Sequence, residues 1–297
     1  MNIYETYCII VTFFPDIEKL KKVIQSIAAN NCKIIIVDNT DKKIEFTDFP
    51  QHHTIHLEKN TGISCAQNMG IRLALEKGAQ YIWLSDQDTI YPTDFLKKML
   101  SAAAACHAQG IDLGALAPAY FDIKKGAIQP FISHTPFTQK FTPTNGLNKI
   151  SHSIASGTVI PAKTLTKTGL MQENFFIDWV DLEWCWRAKN IFGYQIIGVG
   201  DTLIEHSLGD GFVFFLGKKV SIRSPLRHHY MVRNAVHIAL HSRSATVPIR
   251  LEIFAKALAW TLIFPLIAPS HKGQHLRATL SGLWDGLRNR MGQKTLA

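Results

Sequence analysis

The chain has 297 residues, enough for one large α/β domain with an appendage or for two small domains. A hydrophobic fraction of 46% is typical of a globular fold and argues against an extended disordered protein. The five cysteines are scattered and without CxxC spacing. They therefore argue against a disulfide framework or a zinc site, and they indicate buried thiols in a reducing cytoplasm.

Positive charge is concentrated in the last part of the chain. From Lys218 onward there are 13 lysines and arginines and two acids, a net charge of +11, so the first 217 residues carry −2 of the total of +9. This asymmetry indicates an anionic partner: membrane phospholipid, a lipid-diphosphate acceptor or nucleic acid. We expect no signal peptide, and the longest apolar stretch, 257–269, is too short to span a bilayer and contains Pro265.

The first half of the chain alternates short apolar runs with helical patterns. The predicted strands are 7–12, 34–37, 54–57, 81–84 and 113–117. The predicted helices follow an N-cap at Asp16, cover about 64–77, and run from Pro92 to about 109. This order predicts a mostly parallel sheet flanked by helices, with right-handed crossovers.

The second half is less regular. Residues 121–149 predict loops and short strands able to shape an acceptor cleft, and strands are expected at 154–160 and 194–199. Helices are expected at 163–167, from near Asp181, and beyond Pro225. We therefore expect a catalytic domain over 1–224 and a basic, amphipathic helical region over 225–297.

Polar residues follow the predicted strands, where ligands of parallel sheets bind. Asp86 and Asp88 lie one residue apart directly after a buried strand, so they can hold one Mg²⁺ or Mn²⁺ ion that bridges a nucleotide diphosphate. The alternative is that this segment caps the next helix or forms a solvated turn. His206 follows the last predicted strand and is the candidate third metal ligand.

Two further segments are candidates for donor binding. Asp38 and Asn39 end the second strand, where they could bond a pyrimidine ring or a ribose, or form an Asx turn. Asn60 and Gly62 lead into a helix, whose exposed N–H groups favour anions; an ordinary loop with an N-cap is the alternative.

Three acids, Asp178, Asp181 and Glu183, lie among aromatic residues. Apolar surroundings raise the pKa of a carboxyl group, which lets it act as a base near neutral pH. Two alternatives stay open: acids at a helix start stabilise its dipole, and Glu183 could form an i,i+4 ion pair with Arg187.

Together these segments resemble the inverting glycosyltransferase family 2 with its GT-A fold, and within it the bacterial rhamnosyltransferases that build O-antigen and related polysaccharides. The matching segments, in the family's order, are IIVTFFP, VDNT, NTGISCAQNMG, LSDQDT, ASGTVIP, FFIDWVDLEWCWRA, EHSLGD and GLWDGLRNRMG. They span nearly the whole chain.

The resemblance implies roles for particular residues. Contacts to the nucleotide sugar are implied for Thr12, Phe14, Asp38, Asn60, Gly62, Gln67 and Asp86. The implied metal ligands are Asp86, Asp88 and His206, with Asp88 the direct carboxylate ligand. The implied catalytic base is Asp181, a role that Asp178 or Glu183 could share. The chain departs from the family at Val180, where a glutamate is usual, and at Gln67, where a basic residue is frequent.

The implied reaction is a direct displacement, in which an acceptor hydroxyl attacks C1 of the sugar opposite the nucleotide. The implied donor is dTDP-rhamnose and the implied acceptor a lipid-linked glycan of O-antigen or surface polysaccharide synthesis. Another donor, UDP-hexose or UDP-galactofuranose, is an alternative, as is, from another class, a basic nucleic-acid-binding protein. No recognisable nucleic-acid module supports that last class, so no nucleic acid is expected as a partner.

The C-terminal region carries an apolar stripe at helical spacing, formed by Leu276, Leu280, Leu283, Trp284, Leu287 and Met291. Arginines accompany it, so we expect an amphipathic surface that rests on anionic lipid. The expected location is cytoplasmic, on the inner face of the cytoplasmic membrane. Packing of these helices against the catalytic domain or a partner subunit is the alternative, and a homo-oligomer is among the assemblies that the sequence allows.

Overall fold

The computed structural model describes residues 4–43, 52–123, 125–135, 137–206, 211–215 and 217–294. Its strands are β1 (Thr6–Thr12), β2 (Lys33–Asp38), β3 (His52–His56), β4 (Tyr81–Ser85), β5 (Leu113–Asp122), β6 (Ala127–Ile128), β7 (Phe131–His134), β8 (Thr138–Phe141), β9 (Leu147–Ile150), β10 (Val159–Pro161), β11 (Gln195–His206), β12 (Gly211–Phe215) and β13 (Lys218–Ile222). Its helices are α1 (Ile17–Ala28), α2 (Ile63–Glu76), α3 (Phe95–Ala108), α4 (Ala162–Thr168), α5 (Val180–Asn190), α6 (Pro225–Leu240), α7 (Val247–Ile267) and α8 (Lys272–Leu287).

One nine-stranded sheet organises the described part of the chain. Its order is β3-β2-β1-β4-β10-β5-β11-β9, with β6 beside β5. Strands β3, β2, β1 and β4 are parallel to one another, and β11 is parallel to β5. Strand β10 is antiparallel to both β4 and β5, so β5 runs in the same direction as β4. The predicted α/β class with a mostly parallel sheet flanked by helices is confirmed.

Strands β1 and β2 are buried on both faces because helices cover both sides of the sheet. Successive side chains of a strand point to opposite faces. Ile9 accordingly packs in a core cluster with Ile71 of α2, whereas Ile10 packs in a second cluster with Leu20 of α1 and Met99 of α3. This explains why these strands read as uninterrupted apolar runs.

The start of α1 is as predicted. Asp16 is its N-cap, and Oδ1 accepts a hydrogen bond from the Lys19 backbone N–H at 3.2 Å. The strand predicted over 154–160 is wrong for most of its length, since only Val159–Pro161 pairs with the sheet. Gly157 has a φ of +81°, which turns the chain away from strand geometry just before β10. Strand β11 continues beyond its predicted end to His206, with a register shift between Val199 and Leu203.

The predicted C-terminal helices are α6, α7 and α8. Val232 and Val236 of α6 and Ile253 of α7 belong to the same core cluster as Ile9 of the sheet. The boundary predicted at residues 224 and 225 falls directly before α6 and stays a prediction. Among the described helices, none is both long and apolar enough to cross a membrane.

Candidate active site

The sheet topology brings the candidate residues to one edge. The carboxyl ends of β1, β2, β4, β5 and β11 lie on the same side because these strands share one direction. The antiparallel β10 begins on that side, so the loop before it, 151–158, lies there as well. Thr12, Asp38 and Asp86, which are far apart in the sequence, therefore meet at this edge.

Asp38 is fully buried and bonded by neighbouring side chains. Its Oδ1 accepts hydrogen bonds from Thr12 Oγ1 at 3.3 Å and from Thr40 Oγ1 at 2.5 Å, and His56 Nδ1 lies 3.0 Å from Oδ2. The Thr40 N–H also donates to Oδ1 at 3.3 Å. This bond is the one expected of an Asx turn, the alternative role given above for Asp38. These bonds fix the ends of β1 and β2 relative to each other. The contacts of Thr12 and Asp38 with a nucleotide stay predictions.

The loop before α2 is held by two asparagines. Asn39 Nδ2 donates to Asn60 Oδ1 at 3.1 Å, and Asn60 Oδ1 also accepts from the Gly62 N–H at 2.9 Å. The first N–H of α2, that of Ile63, donates to the carbonyl oxygen of Phe176 at 2.7 Å. This part of the helix start is therefore occupied by the protein backbone, and the expected anion contact of this loop stays a prediction.

Two other predicted donor contacts differ in exposure. Gln67 is buried in α2. Phe14 is 64% exposed at a φ of +45°, and its ring meets that of Phe13 edge-on with centroids 4.7 Å apart. Phe14 therefore presents an aromatic ring at the surface of the site, whereas the Gln67 side chain is covered.

The loop that carries the two aspartates is attached to the end of β1 by the residue between them. Gln87 Oε1 accepts from the Phe13 N–H at 2.8 Å, and Gln87 Nε2 donates to the Phe13 carbonyl at 3.3 Å. Sequence reasoning missed Gln87, although its place at the centre of the motif was the available signal. Buried hydrogen bonds also hold the residue directly before this loop: Tyr91 Oη donates to Ser85 Oγ at 2.9 Å and lies 3.2 Å from Ser156 Oγ.

The predicted metal ligands lie at the same edge. Asp86 is half-buried and Asp88 exposed. An isolated antiparallel bridge between Ile90 and Glu205 brings the end of β11, and with it the backbone of His206, beside this loop. The side chain of His206 lies outside the described residues. In the remaining described part, no group of three or more His, Cys, Asp or Glu side chains could hold a metal. Carboxylate oxygens are nevertheless ligands that suit Mg²⁺ or Mn²⁺, and an imidazole nitrogen beside them would favour the transition metal Mn²⁺.

Asp181 lies in the first turn of α5. Its Oδ2 accepts from the Ala155 N–H and its Oδ1 from the Leu182 N–H, each at 3.0 Å. Burial raises the pKa of Asp181 to about 6; these backbone hydrogen bonds oppose the rise, and the carboxylate of Asp86 adds to it. The electrostatic influence of Asp86 indicates that the two carboxyl groups lie near each other.

Tyr120 on β5 belongs to the same surroundings and was not singled out from the sequence. Burial raises its pKa to about 12, and the carboxylates of Asp122 and Asp181 contribute to the rise. No sequence motif surrounds Tyr120, so the sequence carries no signal for it. Its place near Asp181 follows only from the position of β5 between β10 and β11 in the sheet.

The two other predicted acids are paired with arginines. Asp178 accepts from Arg227 Nε at 3.1 Å and from Arg227 Nη2 at 3.2 Å. Glu183 is buried and forms the i,i+4 ion pair with Arg187, at 3.1 Å, that was one of the alternatives. Arg187 also donates to the carbonyls of Thr168 and Leu170 at 2.5 and 2.7 Å. The geometry thus separates Asp181, bonded by backbone N–H groups, from two acids neutralised by basic side chains.

Comparison with known proteins agrees with this arrangement. The model of the family described as glycosyl transferase family 2 matches residues 8–145. The dTDP-rhamnosyl transferase RfbF of Shigella flexneri is 34% identical over 291 residues, which cover 93% of this chain and 95% of that protein.

Solved structures with low sequence identity share the fold. The structure of GalNAc-T7 with UDP, GalNAc and Mn²⁺ aligns with a TM-score of 0.61 at 11% identity, over 97% of this chain and 56% of that one. The structure of S. aureus TarS 1–349 in complex with UDP-GlcNAc aligns with a TM-score of 0.58 at 13% identity, over 94% of this chain and 81% of that one. The expected GT-A type of fold is confirmed.

Proposed function

Since the chain belongs to glycosyl transferase family 2 and is a glycosyltransferase, we propose that it transfers L-rhamnose from dTDP-rhamnose to a lipid-linked glycan, with inversion at C1. The observation that carries this proposal is the carboxyl group of Asp181, which is held by the Ala155 N–H at 3.0 Å and has a pKa of about 6. A base with this pKa is ionised at neutral pH and can still accept a proton from an acceptor hydroxyl.

The donor is supported by the relative with high coverage. RfbF carries the name dTDP-rhamnosyl transferase and matches almost from end to end. Within this chain, Thr12 bonds to Asp38, and Asn39 bonds to Asn60, whose Oδ1 also accepts from the Gly62 N–H; these bonds lie at and beyond the ends of β1 and β2, and Gln67 follows on α2. The nucleotide and ribose would bind against these residues, with the ring of Phe14 at their exposed rim.

Different residues are proposed to act on the acceptor and on the donor. Asp181 removes the proton of the acceptor hydroxyl, while the loop held by Gln87 orients the diphosphate of the donor at Asp86 and Asp88. A divalent cation held by Asp86, Asp88 and His206 would supply charge neutralisation for the diphosphate when bound. Asp178 and Glu183, which are paired with Arg227 and Arg187, keep the segment around the base folded.

The C-terminal region supplies the proposed contact with the membrane. Thr279 Oγ1 of α8 donates to the Thr261 carbonyl of α7 at 3.1 Å, and the short turn between these helices makes them antiparallel. Each residue of an α-helix is rotated by about 100° about the helix axis from the one before it. In an antiparallel pair of helices, the two residues that directly follow the contacting residues therefore lie on the same face of the pair. Leu262 and Leu280 follow the two threonines and are both exposed.

This apolar face extends along both helices. Its exposed members on α7 and α8 are Leu251, Leu258, Leu262, Leu266, Leu276, Leu280, Trp284 and Leu287. Arg277 and Arg288 are exposed at its border, and Arg288 lies over the Trp284 ring at 4.0 Å. Apolar side chains bordered by arginines fit the interface of an anionic bilayer, where a lipid-linked acceptor is found.

Binding of the donor tests the proposal most directly. Calorimetric titration with dTDP-rhamnose, UDP-glucose and UDP-galactose, each with and without Mn²⁺, is expected to give the tightest binding for dTDP-rhamnose with Mn²⁺. Tighter binding of a UDP-sugar would replace the proposed donor. Failure of every sugar nucleotide to bind would contradict the proposed donor site.

A further inference from the structure

The segment directly before Asp181 has an unusual backbone. Phe176, Asp178 and Trp179 have φ values of +67°, +62° and +69°. Residues other than glycine rarely adopt positive φ, and they keep it only where the surrounding structure imposes it. Three such residues within four positions therefore require an external support.

Helix α6 provides that support through two buried side chains. Asn234 Nδ2 lies within hydrogen-bond distance of three carbonyl oxygens, those of Phe175 (3.0 Å), Ile177 (2.8 Å) and Asp178 (3.0 Å). Arg233 Nη2 donates to the carbonyls of Asn174 and Phe175 at 3.2 and 2.9 Å. Asn234 is fully buried and Arg233 is 1% exposed, so water does not replace these donors.

Other contacts come from the preceding turns of α6. Arg227 forms its ion pair with Asp178, and the Phe176 ring stacks on that of Tyr230 with centroids 4.9 Å apart. The indole of Trp179 donates to the carbonyl of Met231 at 3.0 Å. Positions 227, 230, 231 and 234 are spaced by three and four residues, so they form one face of the helix. The side chains of this face, together with the Met231 carbonyl, contact residues 175–179, which form the segment directly before α5.

The start of α5 depends on this segment. Its N-cap residue is Trp179, which has a left-handed conformation and makes no side-chain capping bond. The first turn of α5, which carries Asp181, is therefore placed by the backbone of the segment and not by a cap. A shift of the segment would move the Asp181 carboxyl relative to Ala155 and Asp86.

We infer, on the basis of the proposed role of Asp181 as base, that Asn234 is a positioning residue of the transfer reaction. Through its bonds to the carbonyls of Phe175, Ile177 and Asp178 it fixes the segment, and through the first turn of α5 it fixes the Asp181 carboxylate. Arg227 and Arg233 assist it from the same helix. The C-terminal region thereby takes part in the geometry of the base.

The test compares Asn234→Ala with a matched variant, Asn190→Ala. Asn190 lies at the other end of α5, and its Nδ2 likewise donates to a backbone carbonyl, that of Ser244, at 2.7 Å. With Asn234→Ala we expect kcat to fall about 10- to 100-fold, as expected when a catalytic group is misplaced by about 1 Å. The acidic limb of the kcat–pH profile should also shift, because the surroundings of the Asp181 carboxyl group change. Asn190→Ala should keep the wild-type kcat and pH profile.

Hydrogen exchange gives a measurement that does not depend on the reaction. In Asn234→Ala, amides of residues 173–183 should exchange faster, whereas Asn190→Ala should leave this region unchanged. Faster exchange with a wild-type kcat and pH profile would overturn the inference, and so would unchanged exchange. Absence of transfer by the wild-type protein would instead contradict the proposed function, while the exchange comparison would still test the support of the segment.

A milder variant covers the case in which Asn234→Ala does not fold. Arg227→Gln removes only the ion pair with Asp178, and both side chains are partly exposed. It should lower kcat in the same direction by about threefold to tenfold, since a partly exposed charged bond contributes less than a buried one. A wild-type kcat and pH profile in Arg227→Gln would then overturn the inference.

Discussion

The side-chain amide of Gln87 bonds both polar groups of the Phe13 backbone, accepting from its N–H at 2.8 Å and donating to its carbonyl at 3.3 Å. This pair of bonds continues the pairing of β1 with β4 beyond the ends of both strands. The loop with Asp86 and Asp88 is thereby fixed to the loop with Phe13 and Phe14, so a change at Gln87 should act on donor binding.

Gln87→Ala is expected to raise the donor KM about fivefold to tenfold, since two exposed hydrogen bonds at the low end of the usual range, about 0.5–0.7 kcal/mol each, hold the loop. The matched control is Gln80→Ala. Gln80 precedes β4 at the opposite edge of the sheet, and its Oε1 accepts from the Glu5 N–H at 3.1 Å. Steady-state kinetics should show an unchanged donor KM for Gln80→Ala; equal effects of the two variants would count against a role of Gln87 at the donor site.

Transfer should depend on pH through Asp181. Because its pKa is raised to about 6, the base is ionised above pH 6, and kcat should fall as the pH drops below that value. Asp181→Asn should lower kcat by about 10²- to 10⁴-fold, as expected for loss of a general base, and should leave donor binding unchanged. Single-turnover assays between pH 4.5 and 8, with calorimetry of donor binding, measure both effects. A near-normal rate in Asp181→Asn would assign the base to another residue.

The same carboxyl group should lower stability at neutral pH. Its pKa rises from 3.8 to about 6 on folding, so the folded state binds the proton more tightly and wild-type stability falls as the pH rises from about 4 to 6. Asp181→Asn lacks this penalty. Because the accessible surface shows Asp181 to be partly exposed, the variant should be more stable than wild type by only roughly 1–2 kcal/mol above pH 6, and by nothing near pH 3, below the unfolded pKa of 3.8. Urea unfolding at both pH values measures the difference; a less stable variant at pH 7 would show that the buried carboxylate is favourable.

Gly62 should tolerate no side chain. It has a φ of +87°, and a Cβ atom there would lie 2.6 Å from the Phe176 carbonyl oxygen, a backbone atom. Gly78 has a φ of +81° with no atom within 4 Å, so Gly78→Ala measures the cost of a positive φ without a clash. We expect Gly78→Ala to cost about 1–2 kcal/mol in free energy of unfolding, and Gly62→Ala about 1–3 kcal/mol more, both from the clash and from its ψ of 158°, which with a positive φ is open essentially only to glycine. Equal losses in urea unfolding would show that the approach of Phe176 to α2 is loose.

The apolar face of α7 and α8 should bind anionic bilayers. Leu262→Glu combined with Leu280→Glu removes two exposed leucines and adds two negative charges, so sedimentation with vesicles containing phosphatidylglycerol should fall by about tenfold or more. Gln274→Glu in the exposed first turn of α8 adds one charge without removing an apolar side chain, and it should have a smaller effect. No binding of the wild-type protein at physiological salt would contradict the membrane contact.

Regular, strongly patterned elements could be predicted from the sequence. The apolar runs of β1, β2 and β4 and the helical spacing of α1 give their positions within one or two residues, because local side-chain periodicity follows the geometry of each element. The strand expected over 154–160 failed because its apolar residues do not reveal the turn at Gly157. The order of motifs identified the family, which the relatives confirm.

The sequence by itself determined which acids are available to the site: Asp38 and Asp86 at the ends of strands, and Asp178, Asp181 and Glu183 around the start of a helix. Only the tertiary structure decided how they are used. It paired Asp178 and Glu183 with arginines, one of them from α6, and gave Asp181 its backbone N–H partner from the loop before β10. The reason is physical: the pKa and orientation of a carboxyl group depend on partners far away in the chain, such as Asp86 for Asp181 and Arg227 for Asp178, and a local sequence pattern does not contain that information.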